Sequence, residues 1–114
     1  MSLTDTLDAL TRIAGVRGAL LVSREDGLVV AEALMDSLDG AAVAALAASL
    51  TQRICGMTAA LGHPEGVLLH LSGSEGALLA APAPGGLLLV AIAAADVNAG
   101  ELRLGLLAAA EQSA

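Results

Sequence analysis

Apolar residues follow two rhythms along this chain. Leu3, Leu7, Leu10 and Ile13 fall at steps of three and four, the spacing of one helix face, and predict a helix over 3–14. Ser2 can cap that helix, Asp5 and Asp8 lie near its positive end, and Gly15 can stop it. The rhythm then changes to short continuous runs. Residues 18–23 and 28–34 are apolar and are parted by Arg24-Glu25-Asp26-Gly27. Asp-Gly between two apolar runs predicts a β-hairpin.

Ser37-Leu38-Asp39-Gly40 opens the longest helix, expected over 40–61, with Asp39 as N-cap and Gly62-His63-Pro64 ending it. At 1.5 Å per residue it would run about 33 Å. Three apolar runs follow, over 67–71, 77–81 and 87–94. Ser72-Gly73-Ser74-Glu75-Gly76 and Ala83-Pro84-Gly85-Gly86 divide them, and dividers this short predict an antiparallel meander. Asn98 and Glu101 then form a capping-box-like pair, with Val97 and Leu102 as its staple, and start a last helix. The predicted order is α-β-β-α-β-β-β-α. The strands are near-continuous apolar runs, where a sheet with one wet face would alternate. Both faces of the sheet are therefore expected to be covered, which gives an α/β (α+β) three-layer sandwich. The length allows one compact domain over 1–114.

The long helix carries two stripes. Val43, Leu46, Leu50, Ile54, Met57 and Leu61 form a large apolar one, expected to face the sheet. Ala41, Ala44, Ala48, Thr51, Cys55 and Thr58 form a small, uncharged one. Small residues let a second helix approach closely, so this stripe is expected at a subunit seam. The alternative is that alanine merely favours helix in an alanine-rich chain.

Composition narrows the functional classes. Phe, Tyr, Trp and Lys are all absent, so no base can stack on an aromatic ring and no Gly-rich phosphate loop can end in Lys. The five cations are Arg12, Arg17, Arg24, Arg53 and Arg103, and the net charge of −7 argues against binding a phosphate backbone. One cysteine excludes an internal disulfide and suits a reducing compartment, so a cytoplasmic location is expected. An uncharged stretch from Gly76 to Ala95 is long enough to span a membrane, but Pro82, Pro84, Gly85 and Gly86 break it. The N-terminus has no basic region of the kind a signal peptide carries.

Candidate chemistry is sparse. His63, His70 and Cys55 lack metal-ligand spacing, and each reads as a packing residue. No serine sits in a Gly-x-Ser-x-Gly elbow, and Glu25-Asp26 reads as turn chemistry. No catalytic residue, cofactor or metal is expected. Arg24 and Arg53 are weighed as arginine fingers against surface pairing, and pairing is favoured.

Element order and wording together resemble the roadblock family, also called the dynein light-chain seven family. Ile13-Ala14-Gly15-Val16-Arg17-Gly18-Ala19-Leu20-Leu21-Val22-Ser23-Arg24-Glu25-Asp26-Gly27-Leu28-Val29-Val30-Ala31 is similar to the family's opening hairpin. Glu65-Gly66-Val67-Leu68-Leu69 and the run over 87–94 also match its pattern. The resemblance implies a five-stranded antiparallel sheet in the order 2-1-5-4-3. The long helix would lie on one face, the first and last helices on the other. It further implies homodimers, with third strands paired edge to edge and long helices antiparallel. Bacterial single-domain members resemble MglB-type regulators, which act on a Ras-like small GTPase. A non-catalytic homodimeric scaffold for such a GTPase is the expected function. The alternative is a structural adaptor in a larger signalling or motor complex. The expected dimer interface is Ala41, Ala44, Ala48, Thr51, Cys55 and Thr58 with Val67, Leu69 and Leu71 of the edge strand. Such an interface would bury roughly 800 Å² per partner. Ala48→Glu is expected to weaken it. Gln52, Arg53 and Thr58 are the expected contacts to the GTPase.

Overall fold

The computed structural model describes residues 3–35, 38–62 and 68–112. Its elements are α1 (Leu3–Thr11), β1 (Val16–Ser23), β2 (Val29–Leu34), α2 (Gly40–Ala60), β3 (Leu69–Gly73), β4 (Gly76–Ala83), β5 (Leu87–Ala93) and α3 (Ala99–Gln112). All five strands join one antiparallel sheet in the order β2-β1-β5-β4-β3. Order, topology and layering are those expected from the sequence.

Two apolar layers clasp the sheet. Leu7 and Leu10 of α1 and Leu102 and Leu106 of α3 pack on Leu21, Leu79 and Leu89. On the opposite face, Ala44, Ala47 and Ala48 of α2 pack on Leu20, Val22, Leu88 and Val90. Aliphatic side chains alternate across β1 and β5, so these central strands are buried on both faces.

Local chemistry explains most boundaries. The Asp39 carboxylate accepts from Ala42 N at 3.1 Å and caps α2 as expected. Asn98 Oδ1 accepts from Glu101 N at 3.0 Å and caps α3. Helix α1 stops at Thr11, short of the expected residue 14, as backbone turns from Leu10 to Ile13 and Ile13 to Val16 take over. Ser2, its expected cap, lies outside the described residues.

The meander departs from expectation in register. Gly73 pairs with Gly76, so the divider over 72–76 belongs largely to the strands and only Ser74-Glu75 turns. Strand β4 also runs on through Pro82, opposite Leu88 of β5. Among the described residues its pairing with β3 ends at Ala80. Gly85 and Gly86 turn the chain into β5 with φ of +80° and +75°, conformations that favour glycine.

Candidate functional site

Helix α2 is tied to the β1–β2 hairpin as well as to the sheet. Gly27 at the hairpin tip has φ +74°, and a Cβ there would lie 3.2 Å from Ala45 Cα and 3.6 Å from Ala48 Cβ. Gln52 Nε2 donates to the carbonyls of Arg24 at 2.7 Å and Glu25 at 3.2 Å. Arg24 Nη2 donates weakly to Cys55 Sγ at 3.7 Å. The tip and the middle of the helix are thus bolted together. Gly27→Ala adds a crowded methyl in a left-handed conformation and should cost about 1–2 kcal/mol. A thermal melt should shift down by roughly 5–15 °C; an unchanged midpoint would contradict this contact.

Each stripe of α2 is divided between the sheet and the surface, and the small one supplies the fully buried residues. Ala44 and Ala48, with Thr51, are buried on the protomer's own sheet, and Ala47 joins them. They are therefore not a free subunit seam. Ala41 is exposed, while Cys55 and Thr58 are half-buried, the Thr58 hydroxyl donating to Cys55 O at 3.0 Å. Half of the large stripe expected to face the sheet lies on the outward flank instead. Leu46 is 72% exposed, Met57 59% and Leu61 70%. Val43, Leu50 and Ile54 of the same stripe are partly buried and pack against the sheet-side cluster, as expected. The reason lies across the layer: Leu20, Val22, Leu88 and Val90 already supply the bulk, and only small residues let the helix sit down on them.

The sheet's two edges differ. Strand β2 carries Glu32, and its register with β1 slips between Leu21 and Val22, leaving Val30 as a bulge residue. Charge and bulge both blunt an edge against pairing. Strand β3 has regular register, no charge and no proline, and Leu71 on it is 45% exposed. Leu69 is buried, and Val67, the third strand residue expected at the interface, lies outside the described residues. An open groove of about 460 Å³ continues this surface, with Leu71, Leu78 and Ile92 beside Arg17, Ser72 and Glu75.

The expected partner contacts occupy different settings. Arg53 is exposed beside Leu46, Ser49 and Leu50. Gln52 is exposed too, but its amide is committed to the hairpin carbonyls. His63 lies outside the described residues, and His70 is half-buried on β3, opposite Leu79. Among the described residues, no three His, Cys, Asp or Glu side chains stand where they could hold one metal ion. Nor is any helix among them long and apolar enough to cross a membrane. Sequence reasoning missed Leu46, Met57 and Leu61 as surface residues; their stripe was visible, its direction was not.

Exposed apolar residues thus stand on the outward flank of α2 and along the β3 edge, with Arg53, Arg17 and Glu75 among them. Comparison with known proteins gives the chain a family setting. The Roadblock/LC7 domain family model matches residues 3–93. No curated sequence matches the chain. A Roadblock/LC7 domain from Streptomyces avermitilis superposes with TM-score 0.87 at 22% identity, over 98% of this chain and 94% of that one. The gliding protein MglB from Thermus thermophilus superposes with TM-score 0.88 at 23% identity, over 96% and 84%. An MglB in a tetrameric arrangement gives TM-score 0.88 at 24% identity, over 96% and 83%. At such identities the likeness is one of fold.

Proposed function

The chain belongs to the Roadblock/LC7 domain family, and from this we propose that it is a non-catalytic cytoplasmic homodimer that serves as a docking platform for a Ras-like small GTPase. One observation carries the self-association. Helix α2 buries Ala44, Ala47 and Ala48 against the sheet and leaves Leu46, Met57 and Leu61 in water. A helix covering its own sheet alone would place its largest apolar residues inside. The arrangement makes sense when a second copy covers that flank. The uncharged β3 edge, next to Leu71, offers the backbone groups for strand pairing between copies. The tetrameric arrangement of one MglB supports self-association as a habit of this fold.

Two α2 helices laid antiparallel would form a shelf that one chain lacks. Arg53 is exposed beside Leu46 and Leu50, and its charge would steer an incoming acidic surface while the apolar residues supply affinity. The GTPase assignment rests on the resemblance to MglB-type regulators. Interferometry with GTP-loaded Ras-like GTPases of the source organism tests it. Arg53→Glu should leave melting unchanged and, at concentrations where light scattering shows the variant still paired, weaken capture of one such GTPase by about tenfold or more. No capture by the wild-type dimer would remove the GTPase reading and leave the homodimer standing.

A further inference from the structure

The outward side of α3 lies in the other helical layer, away from α2 and from the surface assigned above. Leu104 is 71% and Leu107 43% exposed there, although Leu102, Leu106, Ala109 and Ala110 are buried on the sheet side. Arg103, Leu107 and Glu111 follow one another at steps of four and so form one ridge, with Gly100, Leu104 and Ala108 as the ridge beside it. Arg103 and Glu111 are exposed, and neither has an ion-pair partner among the described residues.

This ridge is complementary to itself in reverse. Arg103 stands about 6 Å along the axis on one side of Leu107, and Glu111 about 6 Å on the other. A second α3 laid alongside in the opposite sense, with Leu107 beside Leu107, brings each Arg103 to the other copy's Glu111. Both charges of each pair then find a partner, and the reversal maps the patch onto itself, as a two-fold interface requires. Gly100 and Ala108 in the neighbouring ridge are small and let the two backbones come close, while Leu104 adds apolar area at the rim.

We infer that α3 carries a second self-association surface, whose occupant is α3 of another copy of this chain. It is separate from the α2 surface and stands whether or not that surface pairs. One helix pair covers less area than the roughly 800 Å² per partner of a stable interface, so this contact is weak and forms at high protomer concentration. Combined with pairing through α2, it joins dimers into tetramers.

Sedimentation equilibrium of the full chain from about 10 to about 500 µM reads the assembly directly. The expected mass climbs from two chains toward four. Arg103→Glu sets one carboxylate against another, that of Glu111 in the other copy, and should weaken this step about tenfold. Glu111→Arg should weaken it as much, although it makes the chain less acidic; an effect of overall charge would instead strengthen association. The double exchange of Arg103→Glu with Glu111→Arg restores the pairs and should restore the step. All these positions are exposed, so folding is retained and circular dichroism checks it. A mass fixed at two chains across the range, or a double exchange no better than the single ones, overturns the inference while leaving the α2 dimer intact. A mass climbing only from one chain to two, with the same pattern among the variants, upholds the α3 contact and overturns the α2 one.

Discussion

Leu46→Glu is expected to give a folded protein with the mass of one chain where the wild type, as the proposed homodimer, would have the mass of two. Leu46 is 72% exposed in the protomer, so a carboxylate there meets water and leaves the protomer's own packing alone. Against the α2 of a second copy the same carboxylate would be desolvated at the centre of an apolar contact. The substitution forfeits the burial of one leucine, about 1.5–3 kcal/mol, and adds the cost of an unpaired charge. The expected outcome is a dissociation constant raised by about 100-fold or more, with circular dichroism and melting of the separated chains close to wild type. Light scattering at micromolar concentration measures it. A two-chain mass for the variant, unchanged on dilution, would move the interface off this flank.

Two residues further on, the same change has a different consequence. Ala48 is 3% exposed and lies in the layer with Leu20, Val22, Leu88 and Val90. It also approaches the tip of the first hairpin, where Gly27 leaves no spare volume. Glutamate at this position would bring a longer side chain and a charge into a close-packed apolar layer. Overpacking costs typically about 1–3 kcal/mol, and a buried unpaired carboxylate adds several more. Domains of this size carry about 5–15 kcal/mol of stability, so Ala48→Glu should unfold the chain or leave it in inclusion bodies. Denaturant melts followed by circular dichroism decide the matter. A well-folded, monomeric Ala48→Glu protein would mean that the small stripe faces outward after all. The pair of variants therefore separates the two faces of one helix by phenotype: loss of assembly at Leu46, loss of fold at Ala48.

The sequence pattern predicts only a weakened dimer for Ala48→Glu, whereas the burial of Ala48 predicts loss of fold. A hydrophobic pattern tells which residues avoid water when one side of a helix is polar. Helix α2 has no such side over most of its length: one stripe is large and apolar, the other small and apolar, with Gln52 and Arg53 beside them. Periodicity alone then defines two stripes and leaves open which one meets the sheet. Local expectations that rest on backbone chemistry fare better. Asp39 and Asn98 accept the N–H bonds their cap positions call for, and Asp26-Gly27 does turn the first hairpin. Those features depend on neighbours in the chain, so the chain displays them.

The element order, the strand succession of the meander and both helix caps were legible in the chain, as was, through the roadblock resemblance, the sheet order 2-1-5-4-3. So was the lack of aromatic rings and lysines, and with it the exclusion of functions that need them. Three features emerged only from the folded arrangement: the orientation of α2, the commitment of the Gln52 amide to the hairpin carbonyls, and the contrast between a guarded β2 edge and an unguarded β3 edge. Each depends on residues far apart in the chain. Caps and turns are satisfied within a few residues, whereas the face a helix buries depends on the volume its opposing sheet already fills. Here Leu20, Val22, Leu88 and Val90 fill it, so Ala44, Ala47 and Ala48 go in and Leu46 stays out.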